Sequence, residues 1–345
     1  MAMGPQVSVI IPARNEEASL GACLDSLTDQ SGFSFEVIVV NDQSTDRTRE
    51  IAKSAPGVRV IDADPLRPGW TGKNNAIAAG LGLARCEWIL FTDADTIHRP
   101  GSLQRAWEEA RENQVDMLSY SPEQLAVTFW ERATLPVIFA ELARQYPPSK
   151  VSDPNSPEAA ANGQYILVRR EAYEAVGGHA SVASEILEDV ALARAFKAGG
   201  FKIRFRYAPD AVRTRMYRNF RQLREGWTKN LAVLFPNPGW LAAESIFLWT
   251  LLWVAFFVPH KFLLACVIFV VAVACVFVRV KASNFSAGRT LLGVLFGIPM
   301  FAYLLLRSKR AHAKGSVAWK GRSYDQKDSS RKASRPAPVP AGRIS

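Results

Sequence analysis

The sequence predicts an α/β fold, a mostly parallel sheet, followed by C-terminal membrane helices. Three observations predict it. Short β-branched runs alternate with amphipathic helical segments through the first hundred residues. The polar residues of chemical interest follow the ends of those runs, where open parallel sheets bind ligands. Beyond residue 241 the chain turns apolar and then strongly basic.

Taken in order, "VSVII" (7–11) reads as a buried strand and Ala18–Gln30 as a helix. "FEVIVV" (35–40) is a strand, Asp46–Ala55 a helix, "VRVID" (58–62) a strand, Asn74–Ala84 a helix and "WILFT" (88–92) a strand. Such runs suit strands covered by helices on both faces. Ala242–Pro259 and Phe262–Val280 are apolar nearly throughout, and each approaches the ~20 residues that cross a bilayer. Thr290–Leu306 is shorter and contains Gly293, Gly297 and Pro299, so it is expected to be re-entrant or interfacial. Buried core helices are the competing reading, disfavoured because soluble helices usually keep a polar face.

Charge divides the same way. Residues 1–241 hold 27 Lys and Arg against 29 Asp and Glu; residues 242–345 hold 15 against 3. This argues against a nucleic-acid-binding catalytic domain and for a basic region facing an anionic membrane surface. A tail this basic prefers the cytoplasmic side. "MAMGPQVSVIIP" enters a strand pattern almost at once, so no export signal is expected. The expected organisation is a catalytic domain over 1–235, membrane segments within 236–308 and a basic, partly disordered tail over 309–345. The protein would be a multi-pass cell-membrane protein with a cytoplasmic catalytic half. Cys23, Cys86, Cys266 and Cys275 share no ligand spacing and suggest neither disulfides nor zinc.

In "WILFTDADTI" (88–97), Asp93 and Asp95 follow a buried strand. Carboxylates this close raise one another's pKa unless a cation neutralises them. Mg2+ or Mn2+ suits, since either binds through one or two carboxylates plus substrate phosphates. Capping of the next turn is the plainer alternative. "PGWTGKNNAI" (68–77) is not a P-loop, but it sets Lys73 near a helix N-terminus, where a phosphate is favoured. "EILEDVALARAFKAGG" (185–200) opens a helix with acids; Glu188 and Asp189 either cap it or offer a carboxylate base at the rim of the cleft. His98 and His179 show no partner spacing and are expected to pack. Seven arginines between Arg204 and Arg224, then Trp227 and Leu231, read as a basic helix with an apolar edge that meets lipid phosphates. Leu125–Tyr146 carries a similar edge at helical spacing, which core packing explains about as well.

In one order stand "VSVIIPARNEEASL" (7–20), "VIVVNDQSTDRT" (37–48), "GWTGKNNA" (69–76), "FTDAD" (91–95), "NGQYILVRREAYEAVGGH" (162–179), "EILEDVALARAFKAGGFK" (185–202) and "VAWKGRSY" (317–324). Together they resemble the family 2 glycosyltransferases, the inverting group with the GT-A fold. The nearest likeness is to membrane-bound members that glycosylate lipids, of hopanoid-associated, carotenoid and ceramide-glucosyltransferase-like type. The resemblance implies that Pro12, Ala13, Asn15 and Glu16 line a nucleotide pocket, that Asp42 meets the base, and that Lys73 lies beside the diphosphate. It implies that Asp93 faces the ribose and metal, that Asp95 ligates the metal, and that Asp189 is the general base with Glu188 beside it. Asn162, Gly163, Gln164 and Trp227 would face the sugar or acceptor. The Q-x-x-R-W signature of processive synthases is absent; Gly226 precedes Trp227 in "RQLREGW" (221–227), which favours one transfer per acceptor. The expected reaction is metal-dependent, inverting transfer of a hexose or N-acetylhexosamine from a UDP- or GDP-sugar to a membrane lipid. Alternatives are a polyprenyl-phosphate acceptor, a catalytically silent nucleotide-sugar-binding membrane protein, and a nucleotidyltransferase.

Overall fold

The computed structural model describes residues 4–257, 262–281, 285, 293–319 and 322–324. Its main sheet is built from β1 (Val7–Ala13), β2 (Phe35–Asn41), β3 (Val58–Asp62), β4 (Trp88–Phe91), β6 (Met117–Ser121), β8 (Ile166–Arg169) and β9 (Ile203–Tyr207). Their order is β3-β2-β1-β4-β8-β6-β9. β8 runs antiparallel to β4 and β6, and the other pairs are parallel. A smaller sheet, β5-β10-β7, joins β5 (Thr96–His98), β7 (Glu123–Gln124) and β10 (Val212–Thr214) beside it. The mostly parallel sheet expected from the sequence is present; the antiparallel β8 hides in a motif whose short apolar stretch gives no direction.

Both faces of the sheet are covered. Val7, Val9 and Ile11 pack into one core with α1 (Leu20–Thr28) and α4 (Ser102–Glu112). Ile10, Ile38 and Val40 pack into another with α3 (Gly72–Leu81) and α9 (Glu188–Ala198). Burial on both faces is why these strands are apolar without alternation. α3 lies tight on the sheet: a Cβ at Gly80 would stand 2.8 Å from Ile10 Cγ2 and 2.9 Å from Val40 Cγ2. The strands match the predicted ones to within two residues, and α2 (Thr48–Ser54), like α1 and α3, is shorter than its apolar pattern.

A third core joins α5 (Phe129–Gln145), α10 (Phe220–Leu234) and α13 (Ile298–Ala313) through Leu135, Ile138, Trp227, Leu231, Phe301 and Leu305. α5 starts at a capping box: Thr128 Oγ1 accepts from the Glu131 amide, and Glu131 accepts from the Thr128 amide. The apolar edge expected over 125–146 is thus largely core. The stretch Arg204–Arg224 is not one helix. Arg204 and Arg206 lie on β9, paired with Glu109 at 2.6 and 3.1 Å, and the helix begins only at Phe220. Arginines alternating in "IRFRY" obey strand periodicity, which a count of basic residues overlooks.

Two apolar helices follow, α11 (Pro238–Phe257) and α12 (Phe262–Lys281). Among the described residues no single helix is long and apolar enough to cross a membrane; Phe220–Leu234 and Pro238–Thr250 reach that measure only as a pair bent by 110°. Of the segment expected over 290–306, residues 290–292 lie outside the described residues, and the rest is a π-helical turn, Gly293–Gly297, running into α13. Residues 325–345, including the expected disordered end, lie outside the described residues.

Candidate functional site

Parallel register sets the carboxyl ends of β1, β2 and β4 side by side: Ala13 is opposite Asn41, and Ile10 is opposite Phe91. The chain leaves β1 through Arg14–Glu16, β2 through Asp42 and β4 through Thr92–Asp95. Arg14 Nη1 donates to the Asp42 carbonyl at 2.7 Å. The Asn15 amide donates to Ser44 Oγ at 3.1 Å, and Asn15 Oδ1 accepts from the Thr45 amide at 2.9 Å. The Glu16 amide donates to Thr48 Oγ1 at 2.7 Å. Asn15 and Gln43 adopt left-handed φ of 52° and 53°. Non-glycine residues held there cost about 1–3 kcal/mol and gather at ligand sites. Pro12 is half-buried; Ala13 and Asp42 are buried.

Beside these ends opens a cleft of about 230 Å3. Lys73, from the first turn of α3, spans its charged floor: Nζ lies 2.7 Å from Asp93 Oδ1 and 2.7 Å from Glu188 Oε1. Thr71 caps that helix by accepting from the Asn74 amide at 3.3 Å, which fixes the turn carrying the lysine. Asp189 Oδ2 accepts from the Gly163 amide at 2.9 Å, and Oδ1 accepts from its neighbour Val190 at 2.8 Å. Gly163 needs its missing side chain, since a Cβ would meet Lys73 Nζ at 2.9 Å, Glu188 Oε1 at 3.3 Å and Asp189 Oδ2 at 3.4 Å.

Electrostatics separate the two acids that open α9. Burial, with the Glu188 charge next to it, pushes Asp189 up to about 6 despite Lys73. Glu188 is also driven up by burial, but the charges of Lys73 and Lys229, with the hydrogen bond from Lys73, together outweigh this and hold it below the usual carboxylate value. Burial opposes the charge on Lys73 too, yet Asp93 and Glu188 keep it well above the ordinary lysine value. One acid is thus fixed as an anion and the other is poised to exchange a proton near neutrality.

Of the residues singled out from sequence, Lys73, Asp93, Asn162, Gly163, Gln164, Glu188, Asp189 and Trp227 share the lining of this cleft. Pro12, Ala13, Asn15, Glu16, Asp42 and Asp95 do not line it; they stand at the neighbouring strand ends. The cation that relieves Asp93 here is Lys73, so the lysine expected beside a diphosphate is itself held by carboxylates. Gln164 is buried, and its amide faces Gln124 and Thr214 at 3.4 Å each. Asn162 Oδ1 accepts from the Gln164 amide at 3.0 Å. His98 and His179 do pack: burial pushes them down to about 3 and about 4, so both stay neutral. Lys229, Tyr146, Phe139 and Leu142 also line the cleft and were missed. Phe139, Leu142 and Tyr146 lie on the apolar edge singled out over 125–146, whereas Lys229, two positions from Trp227 and so off its helical face, gave no signal.

Asp93 and Asp95 are half-buried carboxylates two residues apart. Among the described residues no cluster of three or more His, Cys, Asp or Glu could hold a metal ion. Paired carboxylates are the oxygen donors that Mg2+ and Mn2+ take, ions that complete their shells with water and substrate phosphates.

Residues 8–177 match glycosyl transferase family 2. The chain is 28% identical over 335 residues to a 4,4'-diaponeurosporenoate glycosyltransferase of Staphylococcus aureus (strain USA300), covering 92% of this chain and 88% of that protein. A mannosyltransferase from Pyrobaculum calidifontis, solved in complex with GDP-Man and Mn2+, has a similar structure: TM-score 0.52, 18% identity, 90% of this chain and 87% of that chain covered. At that identity the structural likeness speaks for the fold, a GT-A core. With the strand-end motifs and the cleft already described, these likenesses make the chain a glycosyltransferase with a family 2 domain over residues 8–177.

Proposed function

We propose that the protein transfers a sugar from a nucleotide diphosphate sugar to a lipid-like acceptor, in one displacement with inversion. The observation that carries this is the pairing of Asp189, poised near pH 6, with the Lys73–Asp93–Glu188 floor of one cleft. The donor, a UDP- or GDP-sugar, would lie along the ends of β1, β2 and β4, against Pro12, Ala13, Asn15, Glu16 and Asp42. Asp95 and Asp93 would hold Mg2+ or Mn2+, which when bound supplies positive charge for the departing diphosphate. Lys73 would add its own charge there. Asp189 takes the acceptor proton as the new bond forms, and the Gly163 amide keeps its carboxylate aimed. The apolar wall of Phe139, Leu142 and Trp227 excludes water from the reacting centre.

The acceptor class rests on apolar surface. Trp240, Phe247, Phe257, Phe262, Leu263 and Val278 are all more than half exposed along α11 and α12, where water is a poor neighbour. The 4,4'-diaponeurosporenoate glycosyltransferase similarity points the same way. We therefore read residues 236–308 as the membrane-associated part, after a catalytic domain over 1–235 and before a basic tail over 309–345, with the catalytic domain and tail on the cytoplasmic side. Membranes containing the protein are to be incubated with labelled UDP-glucose, UDP-N-acetylglucosamine and GDP-mannose in the presence of Mn2+. Label in the lipid extract and a released nucleoside diphosphate are expected with one donor, both lost on EDTA treatment and in Asp93→Ala/Asp95→Ala. Absence of transfer and of donor hydrolysis with all three would overturn the reading.

A further inference from the structure

The turn that carries Asp93 and Asp95 rests on a buried polar layer. Thr92 and Thr96 flank it, and both hydroxyls donate to one acceptor, the Gln164 carbonyl, at 2.8 and 3.4 Å. Thr214 closes the layer from β10: its Oγ1 donates to the Asp95 carbonyl at 3.1 Å and accepts from Gln164 Nε2 at 3.4 Å. Gln164 Oε1 accepts in turn from Gln124 Nε2 at 3.4 Å. Thr92, Thr96, Gln124, Gln164 and Thr214 are all buried, Thr96 and Thr214 completely.

Buried polar side chains cost free energy unless they are paired. Apolar groups of the same shape would fill such a layer as well or better, so packing does not account for the hydroxyls. Thr214 stands opposite Thr96 in the β10–β5 ladder and opposite Gln124 in the β10–β7 ladder. Strands on both sides thus fix its backbone, and β-branching restricts its χ1. Its hydroxyl is a fixed donor to the peptide plane that follows Asp95. Holding that plane sets the backbone torsion on which the side-chain conformation of Asp95 depends. Gln164 links the same donor to the base: the amide of the preceding residue, Gly163, donates to Asp189 Oδ2 at 2.9 Å.

We infer that Thr214 is a positioning residue for the metal-binding turn: its hydroxyl fixes the Asp95 peptide in register with the Asn162–Gln164 segment that holds Asp189. The inference rests on the reading of Asp93 and Asp95 as metal ligands and deepens it. Hydrogen-bond partners behind a metal ligand are worth about tenfold to a hundredfold in metal affinity.

The test is Mn2+ binding to the detergent-solubilised full chain, followed by electron paramagnetic resonance with UDP or GDP present. Wild type should bind Mn2+ with one of the nucleotides, and Asp93→Ala/Asp95→Ala should not. Thr214→Val keeps the shape, deletes the hydroxyl and should weaken Mn2+ binding by about tenfold to a hundredfold. Thr214→Ser keeps the hydroxyl and should restore most of that affinity. Thr214→Ala makes the same deletion without a methyl group against the carbonyl, and it decides the matter should Thr214→Val not fold. Gly80→Ala, which crowds α3 against the sheet away from this turn, controls for lost stability and should bind Mn2+ as wild type does. Undiminished Mn2+ affinity in a folded variant without the hydroxyl overturns the inference. So does an equal loss in Gly80→Ala, which would reduce Thr214 to general packing, or a failure of Thr214→Ser to restore binding. Wild type that binds no Mn2+ with either nucleotide would instead sink the metal reading itself, and this inference with it.

Discussion

Lys73→Met removes one ammonium while nearly preserving its shape, and its cost can be worked from the geometry. The ammonium serves two carboxylates at 2.7 Å each. Removing one partner of a buried pair costs about 3–5 kcal/mol, whereas exposed pairs are worth about 0.2–1 kcal/mol. The Lys73 and Asp93 side chains are 31% and 30% exposed, but Glu188 is only 9% exposed. The Asp93 contact therefore counts as an exposed pair, and the Glu188 contact, made by a lysine that is itself 31% exposed, falls short of the fully buried figure, so the two come to about 2–3 kcal/mol together. At about 2–4 °C per kcal/mol for a domain of this size, Tm falls by roughly 5–10 °C. The pH dependence has a definite sign. Lys73 holds Glu188 below its ordinary value, so this stability is present at neutral pH and is lost as acid protonates the carboxylates. Urea unfolding followed by tryptophan fluorescence, at pH 7 and near pH 4, reads both effects. The variant should be weaker at pH 7, its deficit should have begun to shrink near pH 4 and should vanish only once Glu188 itself is protonated, and Lys73→Met/Glu188→Gln should recover more than half of the loss. Equal stability at pH 7, or a deficit that acid does not shrink, would refute the reasoning.

Further outcomes follow from the same cleft. Asp189→Asn should lower the transfer rate by about 10²–10⁴ with little change in donor affinity. The wild-type rate should climb as pH rises through about 6, where Asp189 loses its proton, and the variant should lack that limb; a variant that keeps its rate would mean the acceptor oxygen arrives already ionised. Gly163→Ala pushes a methyl group to 2.9 Å from Lys73 Nζ and should cost about tenfold to a hundredfold in rate by displacing Asp189, measured at saturating donor. Gly80→Ala, tight against Ile10 and Val40, should instead destabilise the fold by about 1–3 kcal/mol in urea while leaving donor KM unchanged.

The parallel half of the sheet was legible because a strand buried on both faces is apolar along nearly its whole length, and Val9–Ile11, Val37–Val40 and Trp88–Phe91 are. The residues at strand ends were legible for a related reason: a charge directly after such a run has few places to go except the rim. Asp93, Glu188 and Asp189 were found in this way, and Lys73 by its place at a helix N-terminus. Partnership was not legible. Nothing local says that Lys73 bridges Asp93 and Glu188, which lie 20 and 115 positions away, because that distance is closed only when α3 and α9 settle on the same face of the sheet. Nor does the order of residues reveal that Asp189 is driven up while Glu188 beside it is held down. Glu188 touches the Lys73 ammonium directly, while Asp189 feels it from further off together with the Glu188 charge, and chain direction through the first turn of α9 decides that. Lys229 lay furthest from view: it reaches the acids of the cleft from α10, a helix that another some 80 residues later braces, so only the packed chain could bring it there.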